Sequence, residues 1–207
     1  MSKLTVSTMV SLDGVMQAPG GPKEDPSGGF KYGGWTAPYG NDEGLECIVE
    51  WFSQAGSFLL GRKTYQIFAG YWPKVTDPNH PIAGPLNQLP KYVASKTLKK
   101  VEWNNSRLLK GNLVAAIKKL KAEAGNELQV HGSSGLLQTL LKARLIDELR
   151  IMTFPVVLGK GKRLFGSGTV PGAMELVDSK RTSSGVVIQV YRPAGAVETG
   201  TVGEAKQ

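Results

Sequence analysis

Cysteine is nearly absent. Cys47 is alone in 207 residues, so no intrachain disulfide forms and no thiolate cluster can hold zinc or iron–sulfur. Histidine is almost as scarce. His80 and His131 are too few and too isolated for a transition-metal site, and the expectation is no metal. No apolar run approaches about 18 residues, which excludes a transmembrane helix. The opening stretch MSKLTVSTMVSLDG lacks the apolar core and small-residue cleavage pattern of a secretory signal. These absences read as a cytoplasmic chain with no membrane partner.

Basic residues are in excess. Lys and Arg number 25 against 17 Asp and Glu, a net charge of +8. Such a balance points to an anionic partner, whether nucleic acid, an anionic membrane or a phosphorylated small molecule. No nucleic-acid recognition motif accompanies the charge, so nucleic acid ranks last. The 113–124 helix carries part of the excess on a solvated face, at Lys118, Lys119 and Lys121.

Periodicity predicts alternating strands and helices. Residues 3–12, rich in β-branched side chains, read as a strand closed by the turn Asp13-Gly14. A stretch from 14 to 44 holds nine glycines and four prolines. A segment that long and irregular is either functional or mobile. Its aromatics Phe30, Tyr32, Trp35 and Tyr39 argue for packing, and it is a candidate lid. Leu45, Ile48, Val49 and Phe52 recur at helical spacing over 45–55. Strand 57–61, helix 62–72, a proline-rich connection 73–90, strand 91–98 and a strand or turn at 101–109 follow. Then come helix 113–124, strand 127–132, helix 134–144 and strand 146–159, kinked at Pro155. Residues 174–184 and 186–193 pair as a hairpin around Ser184-Gly185, and 194–207 read as a disordered tail. The expectation is one α/β domain over 1–193, with a mostly parallel mixed sheet between two helical layers and a C-terminal antiparallel hairpin.

Three predicted strand ends carry the same device. Gly61, Arg62, Lys63 and Thr64 place a glycine, two cations and a hydroxyl at a helix start. Gly132, Ser133, Ser134 and Gly135 repeat the strand, Gly/Ser turn and helix. Ser95, Lys96 and Thr97 leave a third strand together. A helix N-terminus offers free amides and partial positive charge, which suits phosphate. Each device alone is as well explained by ordinary capping. Three on one sheet favour a ligand with several phosphates. The chain has no Walker loop, no G-x-G-x-x-G and no G-x-S-x-G elbow.

SLDG at 11–14, LLGRKTYQIFAGYWP at 59–73, KYVASKTL at 91–98, VHGSSGLLQTLL at 130–141 and IDELRIMTFPVVLGKGKRLF at 146–165 carry a resemblance. In this order they resemble the dihydrofolate-reductase-like superfamily over about residues 3–192. The nearest branch is the C-terminal reductase domain of the bifunctional riboflavin-biosynthesis deaminase/reductase and its stand-alone relatives. The resemblance implies an NADPH-dependent reductase acting on a small heterocycle. It would set Arg62, Lys63 and Thr64 on the pyrophosphate and 2′-phosphate, and Ser95 and Lys96 beside the adenosine 2′-phosphate. Gly132, Ser133, Ser134, Gly135 and Leu136 would form the turn under the pyrophosphate. Val10 and the segment after it would lie against the nicotinamide. Asp13, Asp147 and Glu148 match positions near the substrate end, with Asp13 or a water as proton donor. Relatives of this kind are often homodimers.

The chain departs from dihydrofolate reductases proper at Ile48, three positions before Trp51-Phe52, where they carry an acidic residue. Glu46 and Glu50 point elsewhere on that helix. That departure counts against dihydrofolate as substrate; the alternatives are a dihydrofolate or pterin reductase and, on the same missing carboxylate, a cofactor-binding protein without turnover. Elsewhere, Asp147 and Glu148 have an ion-pair reading with Arg144 or Arg150. Lys160, Lys162 and Arg163 read as a solvated loop or a substrate-phosphate contact. His131 reads as a local hydrogen-bond partner, and Cys47, Trp51, Phe52 and Trp72 as core.

Overall fold

The computed structural model describes residues 1–123 and 125–203. Eight strands form one sheet: β1 Leu4–Ser11, β2 Ala55–Gly61, β3 Lys91–Ala94, β4 Ser106–Leu108, β5 Glu127–His131, β6 Glu148–Phe154, β7 Met174–Arg181 and β8 Val187–Pro193. Among the described residues five α-helices connect them, with three single-turn 3-10 helices besides: α1 Asp42–Ser53, α2 Arg62–Tyr71, α3 Ala83–Gln88, α4 Leu113–Ala122 and α5 Ser134–Lys142. The strand order is β4-β3-β2-β5-β1-β6-β8-β7. The six strands from β4 to β6 run parallel, and β8 and β7 run antiparallel to their neighbours. This is the mixed, mostly parallel sheet with a C-terminal antiparallel pair that the sequence predicts.

Alternation along the strands builds a core on each face. Leu4, Val6 and Val10 of β1, Leu128 and Val130 of β5, and Leu149 and Ile151 of β6 meet Ile117 of α4 and Leu136, Leu137 and Leu140 of α5. On the opposite face Cys47 and Trp51 of α1 pack on Met152, Phe154 and Ile188. Phe52 of α1 and Tyr65 of α2 pack on Phe58, Leu60 and Val93. Burying each such side chain stabilises the fold by about 1.5–3 kcal/mol.

Several local expectations shift. Helix α1 begins earlier than the apolar period suggests, because Asn41 caps it by accepting from Gly44 N at 2.9 Å. Its buried face is Gly44, Cys47, Trp51 and Phe52, and Leu45 lies exposed. The proline-rich connection contains α3. The buried Lys91 bonds the Leu86 and Leu89 carbonyls at 2.6 and 2.9 Å at the end of that helix. Burial pulls the Lys91 ammonium down to about 8. Lys121 is no solvated charge, since its ammonium bonds Asp147 at 2.6 Å and Leu145 O at 2.7 Å. The tail starts ordered, with Ala194 N and Ala173 N donating to Ala173 O and Gly195 O. Residues 204–207 of the expected tail lie outside the described residues. Among the described residues no helix is long and apolar enough to cross a membrane, and no three His, Cys, Asp or Glu side chains converge as a metal site.

Candidate functional site

The three turns read from the sequence open into one cavity of about 1010 Å³. Gly61 to Thr64 leave β2, Ser95 and Lys96 leave β3, and Gly132 to Leu136 leave β5, and all of them line it. They stand at the carboxyl ends of parallel strands, where open α/β sheets place ligands.

The turns hold one another. Ser133 Oγ accepts from Gly61 N at 3.0 Å and donates to His131 O at 3.0 Å. Ser133 N donates to Thr64 Oγ1 at 3.2 Å. Gly132 at φ 53° and Ser133 at φ 59° are both left-handed, so the chain turns sharply into α5. That conformation costs glycine little but serine about 1–3 kcal/mol. With Ser133 engaged across the turn and Gly61 lacking a side chain, neither α2 nor α5 has a side-chain N-cap. Neither first turn contains an acidic residue. Two helix N-termini thus present free amides to the cavity, with the exposed Arg62 and Lys63 beside them. Ser95 Oγ accepts from Thr97 N and Leu98 N at 3.2 and 3.0 Å, which shapes the turn that exposes Lys96.

The 14–44 segment forms the facing wall and is packed. Trp35 Nε1 donates to Gln17 O at 2.8 Å, and the buried Gln17 amide donates to Asp25 O and Ser27 O at 2.9 Å each. A Cβ on Gly33 would stand 2.6 Å from Gly21 O, so only glycine allows that crossing. Met16, Gln17, Ala18, Glu24 and Asp25 face the cavity. Asp25 reaches Lys162 at 2.5 Å and Lys63 of α2 at 3.8 Å, tying the wall to the rim. Burial pushes its carboxyl up, but the Lys162 and Ser27 contacts outweigh this and hold it low. Glu24 accepts from Gly20 N and Gly21 N, and its pKa is raised chiefly by burial.

The inner end is lined by Met9, Ile48, Trp51, Phe52 and Met152 over a polar floor. Gln129 Nε2 donates to Trp51 O at 2.5 Å and Glu127 Oε2 at 2.8 Å, so its amide oxygen faces His131 Nε2 at 3.1 Å. His131 stacks on Phe52 with ring centroids 4.4 Å apart. Burial, with Arg150 nearby, pulls its imidazole down to about 3 and leaves it neutral. Behind it Arg150 bonds Glu127 at 2.6 and 3.0 Å and Glu148 at 2.9 Å.

A family model described as the RibD C-terminal domain matches residues 2–188. The chain belongs to the RibD C-terminal domain family. A solved structure from Shewanella sp. PV-4, named for riboflavin biosynthesis, is similar with TM-score 0.69 and 26% identity, covering 94% of this chain and 99% of that one. Dihydrofolate reductase from Enterococcus faecalis, complexed with NADP(H) and RAB-propyl, matches with TM-score 0.59 and 13% identity over 92% and 96% of the two chains. A diaminohydroxyphosphoribosylaminopyrimidine deaminase/5-amino-6-(5-phosphoribosylamino)uracil reductase from Thermotoga maritima matches with TM-score 0.62 and 14% identity. There the match covers 93% of this chain and 57% of that chain. At these identities the last two show a shared dihydrofolate-reductase-like fold.

Within this RibD C-terminal domain, four expected site residues stand elsewhere. Asp13 is absent from the cavity lining. Its carboxylate accepts from Ser11 Oγ at 2.6 Å and from Leu158 N and Gly159 N at 3.0 and 2.9 Å, and Arg163 pairs with it. Burial is the largest single influence and raises its pKa, but these donors together outweigh it and hold the group at about 2, with no proton to give near neutrality. Asp13 therefore anchors the 158–163 loop through Arg163, Leu158 and Gly159, and Lys162 ties the same loop to Asp25 and Gln17. Glu148 begins β6 and Asp147 immediately precedes it, at the amino end of the parallel strands and opposite the cavity. Asp147 pairs with Lys121 and accepts from Leu4 N, and Glu148 pairs with Lys3, Arg150 and Arg192. Val10 turns into the core between β1 and α5, and of the residues after it Met16 to Gly20 line the cavity.

Ile48 lines the cavity, and Glu46 and Glu50 are exposed, so the helix offers an apolar side chain where an acidic one was sought. Trp51 and Phe52 are core and cavity wall at once. The sequence reading missed Gln17, Glu24, Asp25 and Ser7. A polar residue at every second position of β5, Glu127, Gln129 and His131, was the available signal for the floor.

Proposed function

We propose that the protein is an NADPH-dependent reductase acting on a small heterocycle of the aminouracil kind named for the Thermotoga relative. The observation that carries this reading is the convergence of three phosphate-type turns on one cavity that continues into an apolar end. The residues fit the cofactor. Two uncapped helix N-termini, three exposed cations and Gly135, whose added Cβ would meet nothing within 4 Å, leave room and charge for a dinucleotide.

In this reading Arg62, Lys63 and Thr64 hold the pyrophosphate and 2′-phosphate. Ser95 and Lys96 flank the 2′-phosphate, and Gly132 to Leu136 lie under the pyrophosphate. When bound, the cofactor supplies the hydride. The chain orients the reacting rings between the Met16–Pro19 wall and Met9, and Trp51, Phe52 and Met152 keep water out. Ile48 speaks against dihydrofolate itself, because the cavity-facing helix offers no carboxylate there to anchor a pterin.

A thermal-shift titration tests the reading. NADPH at about 100 times its dissociation constant stabilises the folded state by roughly 2.7 kcal/mol, or roughly 5–10 °C for a chain of this size. No shift with millimolar NADPH overturns it, and equal shifts with NADH remove the 2′-phosphate assignment. The second reading, binding without turnover, is favoured by Ile48 alone. NADPH oxidation with any of a panel of pterins, quinones and ribosylaminopyrimidines rejects it. A homodimer belongs to the same proposal, and sedimentation velocity reads it.

A further inference from the structure

The cavity floor carries a polar pair, Ser7 and His131. Ser7 is 7% exposed and lines the cavity. Its Oγ is buried and has no hydrogen-bond partner among the described residues. Native proteins rarely leave a buried hydroxyl unpaired, because the lost hydration is not recovered. Beside it, in register on the adjacent parallel strand, stands His131. The two side chains share a face of the sheet, since paired residues of parallel neighbours point the same way.

The state of His131 follows from its neighbours. Both protons of the Gln129 amide are committed, to Trp51 O and Glu127 Oε2. The Gln129 oxygen must therefore accept from His131 Nε2, which carries the single imidazole proton. Nδ1 is left as an acceptor without a partner among the described residues, on a ring that lines the cavity. Phe52 stacks on one face of the ring with centroids 4.4 Å apart, and Phe58 lies tilted against it at 5.8 Å. Glu127, Arg150 and Glu148 brace Gln129 from behind, which fixes the edge in place.

We propose that Ser7 and His131 are the recognition pair for the substrate's heterocycle, taking its lactam edge: a ring N–H donates to His131 Nδ1 while the adjacent carbonyl accepts from Ser7 Oγ. The assignment rests on the reductase reading for its ligand class and adds the two residues that select within it. It excludes rings alkylated at that nitrogen, which lose one bond and strand the acceptor.

The probes are 5,6-diaminouracil and its 1,3-dimethyl derivative, titrated by calorimetry into the full chain with and without NADPH. The dimethyl compound binds about tenfold more weakly or worse, the loss of one good hydrogen bond. In Ser7→Ala, diaminouracil weakens by roughly five- to tenfold, while the ligand-free protein melts no lower because an unpaired hydroxyl has gone. In His131→Leu the discrimination between the two probes falls to within about threefold. Equal binding of both probes to the unaltered protein, or Ser7→Ala binding diaminouracil normally or melting lower, overturns the assignment. NADPH affinity is read in the same titrations. Its absence with discrimination intact sinks the reductase reading and leaves the ring subsite standing, and the reverse result sinks the subsite alone.

Discussion

The rim and the floor of the cavity are both polar, yet they are built in opposite ways. At the rim, Arg62, Lys63 and Lys96 stand exposed on turns, and the helix ends behind them keep their amides uncapped. On the floor, Arg150, Glu127, Gln129 and His131 form a hydrogen-bonded row sealed beneath α1. Rim groups remain hydrated and give up little if the cavity holds nothing. Floor groups have left water and depend on one another. The difference separates two kinds of sensitivity, with the cofactor's charge met at the rim and folding set by the buried Arg150–Glu127–Gln129 row behind the floor.

The largest effect follows from breaking the floor. Arg150→Met removes the one ion-pair partner that Glu127, 9% exposed, has among the described residues, and one of three that hold Glu148. Stranding a buried charge in this way costs about 3–5 kcal/mol. Urea unfolding should report that loss, with a melting temperature lower by roughly 6–20 °C. A variant as stable as the parent would mean that the row is no more committed than the rim.

The same contrast explains what could be read from the sequence. The rim was legible because turns announce themselves: glycine, serine and a cation after an apolar strand have few other uses in that order. LLGRKT and VHGSSG stand at the cavity, as the alternation of strands and helices requires. The floor was not legible in the same way. Glu127, Gln129 and Arg150 are spread over two strands, and only pairing β5 and β6 on either side of β1 brings them together. Asp13 misled for a related reason. SLDG resembles a site motif, but the carboxylate's partners, Leu158 N and Gly159 N, lie about 145 positions away in the chain and claim it for loop anchoring. The early start of α1 turned on the Asn41 cap, outside the apolar period.

The rim is sharpened by a substitution that should spare folding. Lys63→Ala loses one charge-assisted contact to a phosphate, worth about 1.5–3 kcal/mol, so NADPH affinity falls roughly 10- to 150-fold. Its only ion pair in the described structure is the 3.8 Å approach to Asp25, with Lys63 half exposed, so its contribution to stability is small. Thermal unfolding without ligand should match the parent within about 0.5 kcal/mol, the range of ordinary surface changes. A large loss of stability would instead make the Lys63–Asp25 contact part of the fold.

The smallest effect tests the floor without breaking it, through protons. Unfolded, His131 titrates near its ordinary value of 6.5, and folded it is held at about 3, by burial first and Arg150 second. Between these values the unfolded chain takes up a proton that the folded chain refuses. Stability therefore falls as pH falls below 6.5, by up to about 1.4 kcal/mol per unit. Glu24, whose pKa burial raises, works in the opposite direction at the acidic end, so the signal is the difference from His131→Gln. Gln at 131 keeps a donor toward Gln129 but cannot titrate. Between pH 7.5 and 5 the parent should lose about 2 kcal/mol more than this variant. Parallel stability profiles for the two proteins would place His131 among hydrated groups like those of the rim. The neutral acceptor proposed for ring recognition would then be a cation over half that pH range.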